Sequence, residues 1–391
     1  MKAIIRAPLL SVSGYGVHSR QIYSYLENSP LNFEIESQIV NWGNTPWLIN
    51  SNLENDMIGR IMSNARKLDG IADISFQVQL PDEWDPNIAK VNVGVSAVVE
   101  TDICQASWVE SCNKMDAVIV PSQHAKQCLQ NSGKLEVDVH VIPEWFFDQI
   151  LDPRDDNFIE SLGVKTKFNF LIISQLTDQS PDSDRKNLLY TIKWICEAFR
   201  DDPDVGIILK TNHGRGTHID RLLTSNILRQ VISEVRPGPN PRLYFLHGNL
   251  TPSEISSLYK MDSVKALVNL TRGEGFGLPI LEAAASDLPV IVTNWSAHTE
   301  FLSHGKFLKI DYDLVNVPQN KIDNRIFVNG AKWAMPKESD FKKKVLKFKK
   351  KPQVPSDWSA DLGEKIRDMY SSKSISMTYE KTVREILNKC L

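Results

Sequence analysis

Short apolar runs alternate along the chain with longer stretches whose apolar residues recur at helical spacing. Ala3-Ile4-Ile5, Val91 to Val99 and Ala117 to Val120 read as strands, each followed by a helical pattern: His18 to Glu27, Trp108 to Asn113 and Gln123 to Asn131. Val139-His140-Val141-Ile142-Pro143 reads as the last strand of this half. The alternation then restarts, with strands at Phe168 to Ile173, Gly206 to Lys210, Arg242 to Leu246, Ala266 to Leu270 and Pro289 to Thr293. Helices are predicted between them at Asn187 to Phe199, Ile219 to Val231, Thr251 to Lys260 and Pro279 to Ser286, and a final amphipathic helix at Ser376 to Leu391. Strand-helix alternation of this kind predicts an α/β fold, with parallel sheets covered by helices.

A chain of 391 residues exceeds what one core serves, so two doubly wound domains are expected. The polar stretch Asp152-Pro153-Arg154-Asp155-Asp156-Asn157 lacks apolar periodicity and is the natural linker, giving a first domain over residues 1–155. A hydrophobic content of 42% with 24% charged residues fits a soluble globular protein, and the net charge of -3 gives no overall drive toward nucleic acid or acidic lipid. The five cysteines have neither disulfide-framework nor zinc-site spacing, which fits a reducing, cytoplasmic setting. The opening MKAIIRAPLLSVSG is too broken for a signal segment, and no run is long and apolar enough to span a membrane.

The chemistry concentrates in Gly273 to Leu302, GEGFGLPILEAAASDLPVIVTNWSAHTEFL. A strand at Ala266–Leu270, a Gly-punctuated loop and Pro279 in the first turn of a helix place free N–H groups near Gly277 and Leu278. With the positive end of the helix dipole, these would cradle a diphosphate. Glu274 and Glu282 flank that anion site and would repel a diphosphate unless they meet sugar or ribose hydroxyls. Taken singly, Glu282 also reads as a first-turn glutamate that complements the dipole.

The run Glu274-Gly275-Phe276-Gly277-Leu278-Pro279-Ile280-Leu281-Glu282, with Pro289-Val290-Ile291 and Glu300 after it, resembles the E-x7-E signature of family 4 glycosyltransferases of the GT-B fold. Asp116 to Ser122, Val141-Ile142-Pro143, Leu246 to Leu250, Glu254 and Leu258-Tyr259 resemble that family's ordered landmarks, so the likeness covers nearly the whole chain. It implies two Rossmann-like doubly wound domains facing a cleft: an acceptor-side domain over 1–155, a donor domain over 156–370 and a C-terminal helix over 371–391 returning to the first. It further implies a retaining, metal-independent transfer from a nucleotide-sugar to a hydroxyl acceptor, a saccharide or glycoconjugate. Glu274 would contact the donor sugar, Glu282 the ribose, and Lys186 the diphosphate, with Gly275, Phe276, Gly277 and Leu278 lining the donor site. Gly14 and Gly16 would face the leaving phosphate; as a dinucleotide fingerprint their loop fails, since Ser19 replaces the third glycine.

Two departures stand out. An arginine usual in the family after the strand is missing from Ile173-Ser174-Gln175-Leu176, and Arg185 is the candidate replacement. Where many relatives carry a histidine, this chain has Glu100-Thr101-Asp102; Glu100 or Asp102 would bond the acceptor hydroxyl, or cap a helix, and His18 is a weaker candidate. No metal or other cofactor is expected, and the triplets Asp182-Ser183-Asp184 and Asp311-Tyr312-Asp313 are assigned to none. Backbone near His247 to Leu250 is expected to meet the base.

Seven lysines crowd residues 342–351, with Phe341, Val345 and Phe348 on one helix face. This is either a solvated face on a packed helix or a contact for anionic membrane or nucleic acid, the latter placing the protein peripherally at a membrane. Two other functions stay open: a glycosyltransferase acting on a polymer such as modified DNA or protein, and a catalytically silent nucleotide-sugar binding module.

Overall fold

The computed structural model describes residues 1–212, 214–236 and 238–390. The chain divides into two compact units: Met1–Trp145 with Asp323–Ala331 and the stretch from Ser372 onward, and Phe146–Ile322 with Lys332–Ser371. The passage between them falls at Trp145, ahead of the polar stretch at 152–157. That stretch is no linker but part of the second unit, where Asp155 caps a helix by accepting from Phe158 N.

The first unit is built on β1 (Lys2–Ala7), α1 (Gly14–Asn28), β2 (Glu34–Ile39), α2 (Met57–Ser63), β3 (Ala72–Val78), β4 (Ala89–Val95), α3 (Ala106–Cys112), β5 (Ala117–Val120), α4 (Gln123–Ser132) and β6 (Val139–Val141). Its six strands run parallel in the order β2-β1-β3-β4-β5-β6. Ile5, Phe76, Val93 and Ile119 are fully buried, as expected of parallel strands covered on both faces. β2 and β3 were not legible as strands because polar residues interrupt their apolar runs. Glu36 accepts from Leu68 N, Ser75 donates to Asn92 Oδ1 and Gln77 exchanges bonds with Asp85, so these three buried polar side chains are met internally.

The second unit holds α5 (Asp156–Ser161), β7 (Phe168–Ile173), α6 (Leu188–Ala198), β8 (Val205–Thr211), α7 (His218–Val235), β9 (Arg242–His247), α8 (Pro252–Tyr259), β10 (Val264–Asn269), α9 (Leu278–Ala285), β11 (Val290–Thr293), α10 (His298–Leu302), β12 (Leu308–Ile310), β13 (Tyr312–Asn316), β14 (Lys332–Pro336), α11 (Glu338–Lys350) and α12 (Gln353–Met369). Six parallel strands follow the order β12-β11-β10-β7-β8-β9, and β13 and β14 form a separate antiparallel pair. Phe170, Ile207, Val268 and Ile291 anchor one core with residues of α6 and α11.

The last helix, α13 (Ser372–Cys390), belongs to the first unit and starts earlier than its apolar spacing predicts; Leu391, its expected end, lies outside the described residues. Tyr379 on α13 is buried, stacks on Tyr25 at 5.3 Å and shares a hydrogen bond with His18 Nε2 at 3.1 Å. Asp323–Ala331 joins the same unit through Arg325, which donates to Asp82 at 2.7 Å and Glu83 at 2.8 Å, while Ile326 and Phe327 pack against the Trp108 cluster.

Candidate functional site

In the second sheet the chain order reverses between β7 and β10, so the loops after these two neighbouring strands flank a topological switch point, where open α/β sheets bind ligands. The loop after β7 carries Arg185 and Lys186; the loop after β10 carries Glu274. Their placement is over-determined. Asp184, fully buried, accepts from Thr177 N and Oγ1 with one oxygen and from Leu188 N with the other, closing the loop against the start of α6. Arg272, buried against Trp333, donates to the carbonyls of Asp184 at 3.1 Å and Pro181 at 3.0 Å, tying the two loops together.

Lys186 Nζ donates to both oxygens of Glu274, at 2.7 and 2.8 Å. Arg185 donates to Gly273 O at 2.8 Å and stands 3.9 Å from Glu274. Burial pushes the Glu274 carboxyl up, but the Lys186 and Arg185 charges and the Lys186 hydrogen bonds outweigh it and hold the group below the usual carboxylate range. The sequence reading gave Lys186 and Glu274 separate partners; here they meet each other. Two donors of the ammonium are thereby used, and an ammonium has three.

Glu274 N donates to Ser296 Oγ at 2.9 Å, and the buried His298 fixes the adjoining turn by bonding Thr293 O through Nε2 at 2.7 Å. Gly277 stands at φ +104°, and a Cβ there would lie 3.2 Å from His298 Cβ, so this position requires glycine on two counts. It precedes α9, whose Pro279 has no N–H to leave unmet. Ile280 N and Leu281 N bond Gly277 O, while the N–H groups of Gly277 and Leu278 have no acceptor among the described residues.

Glu282 lies in the second turn of α9, so the reading of it as a first-turn dipole partner does not hold. Its Oε2 accepts from Tyr259 OH at 2.8 Å, and burial pushes its carboxyl up to about 8 against the lowering effect of that bond. Near neutrality it is therefore largely protonated. Sequence reasoning named Tyr259 only as a landmark; Ser296, His298 and Arg272 carried no signal beyond sitting in or beside the Gly-rich stretch.

Gly275 and Phe276 lie in the loop after β10 and the His247 to Leu250 stretch at the end of β9, both in the second unit, whereas Gly14, Gly16, His18, Glu100 and Asp102 belong to the first. Gly14 and Gly16 open α1 behind the Ser13 cap, and a Cβ on Gly16 would fall 2.0 Å from Ser11 O, so backbone packing alone demands that glycine. Tyr15 between them shares a hydrogen bond with Ser96 Oγ at 2.9 Å and accepts from Ala97 N at 3.1 Å, joining the glycine loop to the segment that leads into Glu100 and Asp102. Asp102 caps no helix, since α3 begins after Gln105; its carbonyl accepts from Asn131. His18 is buried and bonded to Tyr379, and burial lowers it to about 4, so it is a neutral packing residue.

The two acidic triplets have protein partners: Asp184 as above, Asp182 with Tyr190 OH at 2.9 Å and Asp313 with Lys337 at 2.9 Å. On α11, Phe341, Val345 and Phe348 are buried, and three of the lysines are drawn into ion pairs: Lys342 with Glu197 and Glu338, Lys344 with Asp340, and Lys349 with Asp202. Among the described residues no helix is long and apolar enough to cross a membrane.

Residues 240–323 match the family described as glycosyl transferases group 1, a span that holds β9, β10, Glu274 and Glu282. No curated protein matches the chain. Among solved structures, the chain is similar to sucrose-phosphate synthase from Thermosynechococcus elongatus, with a TM-score of 0.66 at 12% identity over 99% of both chains. It is also similar to HepE (Alr3699) of Anabaena in complex with UDP and glucose, with a TM-score of 0.64 at 15% identity, over 98% of this chain and 100% of that one. The pneumococcal O-GlcNAc transferase GtfA in complex with UDP and GlcNAc gives a TM-score of 0.50 at 16% identity, over 81% of this chain and 57% of that one. The full-length matches show the fold: two doubly wound α/β units of the GT-B type.

Proposed function

We propose that the protein is a glycosyltransferase that moves a sugar from a nucleoside-diphosphate-sugar to a hydroxyl acceptor, with retention of anomeric configuration and without a bound metal. One observation carries the reading: at the switch point of the second sheet, the part-buried Lys186 paired with the buried Glu274 stands beside a helix N-terminus whose first N–H groups have no acceptor among the described residues. The match of residues 240–323, which hold Glu274 and that helix N-terminus, to the glycosyl transferases group 1 family supports it, and so do fold relatives solved with UDP and a sugar.

The roles follow from chemistry. Gly277 N, Leu278 N and the remaining donor of Lys186 take the diphosphate oxygens, with Arg185 adding positive charge beside them. Glu274, kept ionised by its two cations, accepts from hydroxyls of the donor sugar. Glu282 accepts from the ribose hydroxyls, giving up its proton as they arrive. When the sugar–phosphate bond breaks through an oxocarbenium-like transition state, negative charge grows on the diphosphate. Donors fixed in advance around that charge stabilise the transition state more than the ground state. In the first unit, Glu100 and Asp102 are the acids assigned to the acceptor hydroxyl, a saccharide or glycoconjugate being the acceptor class, and Gly14 and Gly16 are assigned to the leaving phosphate. A cytoplasmic location is part of the same proposal.

The test is a melting-temperature panel with UDP, GDP and ADP and their sugar conjugates in the presence of a chelator, on the wild type and on Glu282→Ala. A ligand at a hundred times its dissociation constant adds about 2.7 kcal/mol of stability. One base is expected to raise the melting temperature, less so in the variant, and the anomeric signal of the product is expected to match that of the donor. No shift with any nucleotide overturns the proposal.

A further inference from the structure

Lys210 plays no part in the scheme above. It is the penultimate residue of β8, paired in register with Ile173 of β7 and Leu246 of β9, and its carbonyl accepts from Ser174 N at 3.1 Å. Ile207 and Leu209 are packed into the core with α6, so Lys210 is turned to the opposite face at the carboxyl end of the sheet. Its strand neighbours β7, whose following loop carries Arg185 and Lys186; adjacent strands are about 4.8 Å apart.

What sets this lysine apart is the lack of any partner. It is half-buried, yet no described residue gives its ammonium an ion pair or a hydrogen bond. Elsewhere in this unit the part-buried lysines Lys186, Lys321, Lys342 and Lys349 each meet a carboxylate. The two residues that follow share the condition: Thr211 Oγ1 and Asn212 Oδ1 are buried and have no hydrogen-bond partner among the described residues. Three consecutive residues at one strand end thus carry unmet polar groups, where native proteins satisfy nearly all of them. Burial alone lowers the Lys210 ammonium to about 8, the response of a cation with no counter-charge beside it.

We infer that Lys210 is a further phosphate-binding residue of the donor site, adding from the end of β8 to the positive charge that Arg185 and Lys186 supply from the loop after β7. This rests on the function proposed above and extends it. The missing partner must be an anion that arrives with the ligand, and the diphosphate is the anionic part of a nucleoside-diphosphate-sugar. A compact ammonium on a flexible stem suits a point contact to one phosphate oxygen.

The experiment is calorimetric titration of wild type, Lys210→Met and Lys210→Arg with UDP, GDP and ADP, and with uridine, guanosine and adenosine as phosphate-free controls. Loss of one charged hydrogen bond is expected to weaken the preferred diphosphate in Lys210→Met by about tenfold or more, with the matching nucleoside within about twofold of wild type. Lys210→Arg is expected to keep most of the affinity. Unliganded Lys210→Met is expected to melt no lower than wild type, because a methionine fills the same stem and removes an uncompensated cation. If wild type binds a diphosphate and Lys210→Met binds it equally well, or loses nucleoside affinity in step, the role of Lys210 is overturned and the donor site stands. If wild type binds none of the three diphosphates, both proposals fall together.

Discussion

Replacing Lys186 with methionine tests whether the Lys186–Glu274 pair organises the site. The side chains are 20% and 9% exposed, so the pair sits in protein rather than water. Removing one member of a buried pair typically costs about 3–5 kcal/mol, because a charge is left without its partner. Arg185, 3.9 Å from Glu274, remains and softens the loss, which places the expected cost near the low end, about 3 kcal/mol at pH 7.5. With a urea dependence of about 3 kcal/mol per molar, the unfolding midpoint falls by about 1 M.

The pH profile sharpens the test. In the wild type the Glu274 carboxyl is held below its unfolded value of about 4.3, so its stabilisation is present above that pH and is lost as pH falls through the folded value. In Lys186→Met burial dominates and the carboxyl rises above the unfolded value, so the variant loses stability as pH rises through this window. The gap between the two proteins is therefore small near pH 4 and widens toward pH 8. Lys186→Met/Glu274→Gln, with neither charge, is expected to recover at least about 1.5 kcal/mol relative to the sum of the single changes. A single-variant cost below about 0.5 kcal/mol at every pH, or additive single changes, refutes the reasoning.

Two further outcomes follow from the site. Glu282 is raised to about 8 in the free protein and is proposed to bind ribose as the carboxylate, so binding releases a proton. Nucleotide affinity measured by titration between pH 6 and 8.5 is expected to rise more steeply with pH in the wild type than in Glu282→Gln, whose remaining pH response comes from the diphosphate and Lys210; equal slopes in the two proteins contradict the ribose role. Gly277→Ala forces a side chain into a positive-φ position against His298, and a loss of about 1–3 kcal/mol by urea unfolding is expected, with weakened nucleotide binding. Unchanged stability would show that the turn relaxes at no cost.

Much of this architecture was legible in the residues. Apolar runs such as Phe168 to Ile173 stand out because parallel strands bury both faces, and the strand-loop-helix around Glu274 announces itself through Gly277 and Pro279. What escaped were features settled by distant partners. β3 hides behind Ser75 and Gln77, whose bonds run to Asn92 and Asp85. The lysine run of α11 looks like a cationic surface until Glu197 and Asp202, far away in sequence, take Lys342 and Lys349. Sequence pattern alone gives no hint that Lys186 and Glu274 pair with each other, since 88 positions separate them.

The path of the chain has a consequence for anyone who would take the protein apart. It passes from one unit to the other after Trp145, Ile322, Ala331 and Ser371, so the second unit is covalently interrupted by a segment that folds with the first. An excised fragment of residues 146–371 would carry Asp323–Ala331 as an orphan, exposing Ile326 and Phe327 and leaving Arg325 without Asp82 and Glu83. A first-unit fragment ending at Trp145 would likewise lack Tyr379, and the buried His18 would lose its partner. Chimeras that exchange halves with another protein must therefore transplant the inserted segment and the final helix together with the first 145 residues, because the compact unit and the contiguous stretch of chain do not coincide.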